Sequence, residues 1–237
     1  MQGYVNSIET MGLVDGPGIR VVIFLDGCPA RCIYCHNPET WVSSKENLTT
    51  VEEIITTILK YKTYFENNGG VTFSGGEPLF QPEFLKALLK RCYEEGIHTC
   101  LDTCGIGNTE YESILEYVDL VIMDIKATNE KSYKEITGVG IEPSLKFINT
   151  CQKLNKKMWL RSVVIPTIND NTTHMDELSE IINELKNIEK VELLPYHDMG
   201  VSKYDKLGIP YKLKGIPPMD KKKCEELSKY LHSKLKI

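Results

Sequence analysis

Six short apolar runs rich in β-branched residues, alternating with segments of helical period, constrain this chain more than any other feature. They are RVVIFL (20–25), GVTFS (70–74), IHTCLD (97–102), DLVIMDI (119–125), MWLRSVVI (158–165) and KVELLPY (190–196). Runs of this length and composition predict strands. Near-continuous apolar stretches such as VVIFL and DLVIM are what parallel strands covered on both faces look like. The segments between them have helix signals. Thr50 and Glu53 form a potential capping box ahead of Ile54, Ile55, Ile58 and Leu59, and Pro82 stands at a first helical position with Gly96 closing that helix. Further helices are predicted over 144–155, over 173–186 and from Asp220 onward. Strand and helix alternate, so the expected fold is α/β, a parallel sheet with outer helices. Six units are too few for the closed eight-stranded barrel, which leaves a partial, open six-unit βα barrel. At 237 residues with no strong linker, one domain over 1–237 is expected. The stretch His197 to Pro218, rich in Gly, Pro and Lys, reads as a surface loop before the last helix, and these form a C-terminal unit over 197–237.

No apolar run approaches the roughly 20 residues of a membrane helix, and the first residues lack the basic-then-apolar pattern of a secretion signal. A cytoplasmic protein with no membrane partner is expected. The net charge of -5 argues against a nucleic-acid surface. In a reducing compartment the eight cysteines stay thiols, serving metal, redox or packing. Cys92, Cys151 and Cys224 fall among apolar residues at helical spacing and read as core.

Functional groups of parallel α/β folds gather on loops at the carboxyl ends of the strands. Those loops carry Cys28, Cys32 and Cys35 after the first strand, Ser74-Gly-Gly-Glu-Pro78 after the second, and Asp102, Thr103 and Cys104 after the third. Asp124, Ile125 and Lys126 follow the fourth, Arg161 lies on the fifth, and His197 ends the sixth. All would face one mouth. Three cysteines within eight residues are metal ligands by type. A structural zinc would need a fourth ligand, His36 or Cys104. An iron-sulfur cubane held by three thiolates would keep one iron open to a ligand bringing its own donors, such as an amino acid's amine and carboxylate.

The spacing Cys28-x-x-x-Cys32-x-x-Cys35 over 28–35, with Tyr34 before the third cysteine, resembles the cluster loop of the radical S-adenosylmethionine enzymes. The segment SGGEP resembles that family's Gly-Gly-Glu motif. Within the family, VDGPGIR (14–20), CHNPETW (35–41), GIHTCLDTCG (96–105), DLVIMDIK (119–126) and VELLPYH (191–197) resemble the pyruvate formate-lyase activating enzymes over nearly the whole chain. That resemblance implies a 4Fe-4S cluster whose electron cleaves S-adenosylmethionine. The resulting 5'-deoxyadenosyl radical takes a hydrogen from a glycine α-carbon of pyruvate formate-lyase, the protein substrate. A glycine has no side chain to obstruct the approach. A flavodoxin or ferredoxin-like protein is the implied electron donor, and a monomer is expected.

The resemblance also implies roles. Cys28, Cys32 and Cys35 would hold the cluster. Tyr34 and His36 would flank the adenosyl end of the cofactor, with His197 on its ribose or adenine side. Gly75, Gly76 and Glu77 would line the methionyl amino group. Asp124, Ile125 and Lys126 would close over the cofactor, Lys126 meeting its carboxylate. Asp102, Thr103 and Asp124, with a backbone carbonyl near Ile122, would hold a monovalent cation, K+ or Na+. Asp15 and Arg161 are candidates for gripping the partner's glycine-bearing loop, and Cys104 departs from the family pattern. Three rivals stand beside this reading: an activator of another glycyl-radical enzyme, a radical enzyme acting on a small molecule, and a non-catalytic zinc module. Activators with auxiliary clusters carry a cysteine-rich insert after the first cluster loop, and no such insert follows CHNPETW here.

Overall fold

The structure is a computed structural model that describes residues 1–66, 68–107 and 110–236. Strand β1 (Gln2–Gly12) pairs antiparallel with β2 (Arg20–Leu25) on one side and with β3 (Leu48–Thr50) on the other. Helix α1 (Val51–Leu59) starts where the capping box predicts. The Glu53 amide donates to Thr50 Oγ1 at 3.2 Å, and the Thr50 amide donates back to Glu53 Oε2 at 2.8 Å. The chain then runs through β4 (Gly70–Gly75), α2 (Pro82–Glu94), β5 (Thr99–Thr103), α3 (Glu112–Leu115) and β6 (Leu120–Asp124). After α4 (Glu130–Thr137) and α5 (Glu142–Lys153) come β7 (Lys157–Val164), α6 (Thr172–Asn183), β8 (Ile188–Pro195), α7 (Val201–Leu207) and α8 (Lys221–Lys234). The sheet order is β3-β1-β2-β4-β5-β6-β7-β8, with every pair from β2 to β8 parallel. Its ends are different strands, so the six parallel units form an open, partial barrel.

Register decides what faces the lumen. Residues paired across parallel strands share a face, and the face alternates along each strand. Cys100 pairs Leu120, Asp102 pairs Ile122, Ile122 pairs Trp159, and Asp124 pairs Arg161. Cys100, Leu120, Ile122 and Trp159 therefore form a small apolar cluster of their own, and Asp102, Asp124 and Arg161 stand on the same face nearer the carboxyl ends. The alternate residues, Val21, Phe73, Leu101, Val121 and Leu160, belong to the main core with Leu85, Leu88 and Phe147 of the outer helices. Cys92, Cys151 and Cys224 are buried there as expected.

Two strands and three helices lie outside the predicted elements. In β1 only Gly3, Val5 and Gly12 are buried, so it lacks a two-residue apolar alternation. The expected loop of 197–218 contains α7, seven residues closed by Gly208 at φ 65°, too short to display helical period. No helix among the described residues is long and apolar enough to cross a membrane.

Candidate active site

A cleft of about 250 Å³ opens at the carboxyl ends of the parallel strands, and the half-buried thiols of Cys28, Cys32 and Cys35 all line it. Backbone hydrogen bonds hold their loop from both sides. The amides of Arg31 and Ile33 donate to the last carbonyls of α4, Thr137 at 2.7 Å and Ile136 at 2.9 Å. Gly27 N–H reaches the Thr40 carbonyl at 2.7 Å, and Tyr204 of α7 donates to the Cys35 carbonyl at 2.9 Å. Burial pushes the Cys28 thiol up to about 12 and the Cys32 thiol up to about 11, so a thiolate set here needs positive charge beside it, which cluster iron would supply. The Ala30 amide beside Cys28, and the Asn37 amide and Trp41 indole beside Cys35, pull those thiols back down against the burial, as N–H groups around iron-sulfur thiolates do. The extra ligands a zinc would draw on are engaged elsewhere. His36 Nε2 donates to the His197 carbonyl at 2.9 Å, and the Cys104 thiol donates to Glu77 Oε2 at 3.0 Å. Among the described residues no three His, Cys, Asp or Glu side chains converge on a single-ion site. The thiols fit a polynuclear cluster.

The SGGEP turn lies directly against this loop. Gly76 N–H donates to the Leu25 carbonyl at 2.8 Å and Glu77 N–H to Gly27 at 2.9 Å. Gly75 has φ 121°, and a Cβ on Gly76 would sit 2.4 Å from the Gly27 carbonyl oxygen. These glycines allow two backbones to touch, while their own surface still lines the cleft. Glu77 departs from its expected role. Its side chain is fully buried, and its carboxylate accepts from Thr103 Oγ1 at 2.5 Å, Leu79 N–H at 3.1 Å and the Cys104 amide at 3.0 Å, besides the Cys104 thiol. It joins the turn after β4 to the end of β5, with no open oxygen aimed at the cleft.

Asp102, Asp124, Lys126 and Arg161 all reach the cleft. Lys126 Nζ bonds Asp124 Oδ2 at 2.6 Å and lies 5.5 Å from the centre of the Tyr34 ring. Burial opposes the lysine charge, yet Asp124 and neighbouring groups hold its pKa well above the ordinary value. Ile125, whose amide donates to the Arg161 carbonyl at 2.8 Å, turns its side chain into the core. Burial, then the Asp124 charge, push Asp102 up to about 7, against the pull of Arg161 and a 2.7 Å hydrogen bond from Ser74 Oγ. A cation between the two carboxylates would relieve that strain. The Thr103 hydroxyl donates to Glu77 and accepts from Gly105 N–H at 2.8 Å, which leaves it one lone pair as a ligand.

His197 stacks on His36 with ring centroids 3.9 Å apart, and its buried Nδ1 has no hydrogen-bond partner in the protein. His36 lines the cleft, but His197, expected at the same mouth, is not among its lining residues and stands behind His36. Asp15 lies outside the cleft wall. Its backbone carbonyl accepts from Thr72 Oγ1 at 2.5 Å, and burial raises its carboxyl while Arg161 opposes the rise. Arg161 pairs with Glu192 at 3.2 Å and donates to the Val14 carbonyl, which bridges β8 to the 14–20 turn. No individual role is assigned from sequence to Ser74, Trp41 or Tyr204. Trp41 ends the CHNPETW run and Ser74 opens SGGEP, but the hydrogen bond of Ser74 to Asp102 on the next strand, and a tyrosine 169 residues from Cys35, had no local signal.

The family model of the radical SAM superfamily matches residues 22–179. The pyruvate formate-lyase-activating enzyme of Clostridium pasteurianum is 50% identical over 232 residues, covering 98% of both chains. That of Staphylococcus epidermidis is 40% identical over all of this chain and 98% of its own. Among solved structures, a domain of the pyruvate-formate lyase-activating enzyme from Bacteroides vulgatus superposes with a TM-score of 0.58 at 25% identity, covering 70% of this chain and 94% of that one. Streptococcus suis SuiB bound to its precursor peptide shares the fold at TM-score 0.67 and 19% identity, over 90% of this chain and 46% of that one. The chain belongs to the radical SAM superfamily and, within it, to the pyruvate formate-lyase-activating enzymes.

Proposed function

We propose that this protein activates pyruvate formate-lyase by installing a radical on one of its glycines. The observation that carries the reading is that the three loop thiols and the Asp124–Lys126 pair open on the same cleft. When bound there, a 4Fe-4S cluster and S-adenosylmethionine supply the one-electron cleavage and hydrogen abstraction that oxidise the partner's glycine. Cys28, Cys32 and Cys35 hold the cluster. Lys126, kept charged by Asp124, binds the cofactor's carboxylate as a point charge. Backbone at Gly75 and Gly76 admits its methionyl end, and Tyr34, His36 and His197 flank its adenosyl end. Asp102, Thr103 and Asp124 hold K+ or Na+, and Arg161 with Asp15 meets the partner's loop at the rim. A flavodoxin or ferredoxin-like protein donates the electron to this single-domain, monomeric, cytoplasmic enzyme.

The test is anaerobic incubation of reconstituted protein with pyruvate formate-lyase, S-adenosylmethionine and a reductant. The expected result is a glycyl radical on the partner, with about one 5'-deoxyadenosine formed per radical. Cofactor cleavage that leaves no radical on the partner overturns the reading.

A further inference from the structure

Beside the cluster loop lies another recess, of about 170 Å³. Cys32 and Trp41 line both this recess and the main cleft, so one layer of side chains separates a proposed cluster ligand from the outer surface. The rest of the wall includes Arg31, Tyr204, Pro210 and Lys212, and no acidic residue. Its groups are tied to the cluster loop itself. The Arg31 guanidinium donates to the carbonyls of Cys28 at 2.6 Å and Ala30 at 2.7 Å and lies 4.9 Å from the Trp41 ring centre, while the Tyr204 hydroxyl donates to Cys35.

Charge in the segment that supplies part of this wall runs against the rest of the chain. The chain has a net charge of -5, yet the segment 201–214 carries Lys203, Lys206, Lys212 and Lys214 against Asp205 alone. Lys203 is taken by Glu39 at 2.5 Å. The other three are exposed and form no ion pair among the described residues; of them Lys212 lines the recess, while Lys214 lines a neighbouring pocket that also holds Asp198 and Asp205.

We propose that this recess is the docking face for a small acidic one-electron carrier protein, with Cys32 as the point where its electron enters. The inference rests on the cluster reading above. One electron leaves the reduced carrier, which is oxidised by one equivalent, and the cluster is reduced by one equivalent. No bond forms or breaks and no proton moves. Transient redox complexes have small interfaces, in which opposite charge sets the encounter rate more than the affinity.

The experiment is stopped-flow bleaching of the reconstituted holoenzyme by photoreduced flavodoxin, for the wild type and the variant Lys212→Glu. The variant is expected to react about tenfold more slowly at low salt, with the gap closing as ionic strength rises. Its bleaching by dithionite and its dithionite-driven glycyl-radical yield are expected to match the wild type. Lys212→Gln, which neutralises without reversing charge, is expected to fall between. An unchanged flavodoxin rate in both variants overturns the proposal. So does a parallel loss of the dithionite-driven radical yield, which would assign the face to the glycine-bearing partner. If dithionite fails to bleach even the wild type, it is the cluster reading that falls, and the docking face with it.

Discussion

Replacing Glu77 by Gln separates two roles that the Gly-Gly-Glu motif allows. In the structure Glu77 Oε1 accepts from Thr103 and Leu79, while Oε2 accepts from the amide and thiol of Cys104, all in a fully buried site. Glutamine keeps the shape but offers one acceptor oxygen. Whichever way its amide turns, its NH2 faces the donors of one pair, and a backbone N–H of Leu79 or Cys104 is orphaned. Orphaning a buried donor costs about 1–3 kcal/mol, and losing the charge from the remaining bonds adds about another 1. The expected destabilisation is therefore ~2–4 kcal/mol, a large part of the 5–15 kcal/mol typical of a folded domain. Urea unfolding of the cluster-free protein measures it, and S-adenosylmethionine affinity of the reconstituted protein is the companion assay. A brace loses stability first. A carboxylate meeting the cofactor's ammonium would instead leave stability intact and weaken binding about 10- to 100-fold. Wild-type stability with that affinity loss refutes the brace.

Other expectations follow from the same geometry. Arg20 is fully buried, donating to Thr72 Oγ1 and the Val71 carbonyl at 2.6 Å and the Pro17 carbonyl at 2.9 Å. Arg20→Met strips these acceptors of their donors and should cost ~2–4 kcal/mol in denaturant unfolding. Gly76→Ala places its Cβ 2.4 Å from the Gly27 carbonyl oxygen, so it should push the two loops apart and lower iron retention after reconstitution. Asp102, raised by burial and then by Asp124 to about 7, binds a proton more tightly folded than unfolded. In a buffer whose only cation is a bulky organic ion, its contribution is therefore complete below about pH 4 and is lost as pH climbs through 7. K+ or Na+ should raise Tm more at pH 8 than at pH 5, and equal effects at both contradict the cation site.

The barrel was legible because its central strands β2, β4, β5 and β6 are buried on both faces, and VVIFL or DLVIM can satisfy that burial in few other ways; β7, buried on alternate residues, and the largely half-exposed β8 were marked by their β-branched and aliphatic runs instead. Strand β1 was not legible, since most of its side chains are exposed or half-exposed and it carries no such apolar pattern. The same division holds in the site. Cysteines, paired aspartates and Lys126 announce themselves by residue type at strand ends. Glu77 shows the limit: sequence identifies a carboxylate beside two glycines but cannot tell whether its oxygens point at a ligand or at Thr103 and Cys104, because those donors come from another strand. The stacking of His197 on His36, 161 residues apart, is likewise a product of the closed-up fold.

The most direct test of the central claim is electron paramagnetic resonance of anaerobically reconstituted, reduced protein, recorded before and after adding S-adenosylmethionine. A cluster with three thiolate ligands and one open iron predicts a reduced 4Fe-4S signal whose shape changes on adding the cofactor. A signal indifferent to it, or a colourless and silent sample holding one zinc, contradicts the account.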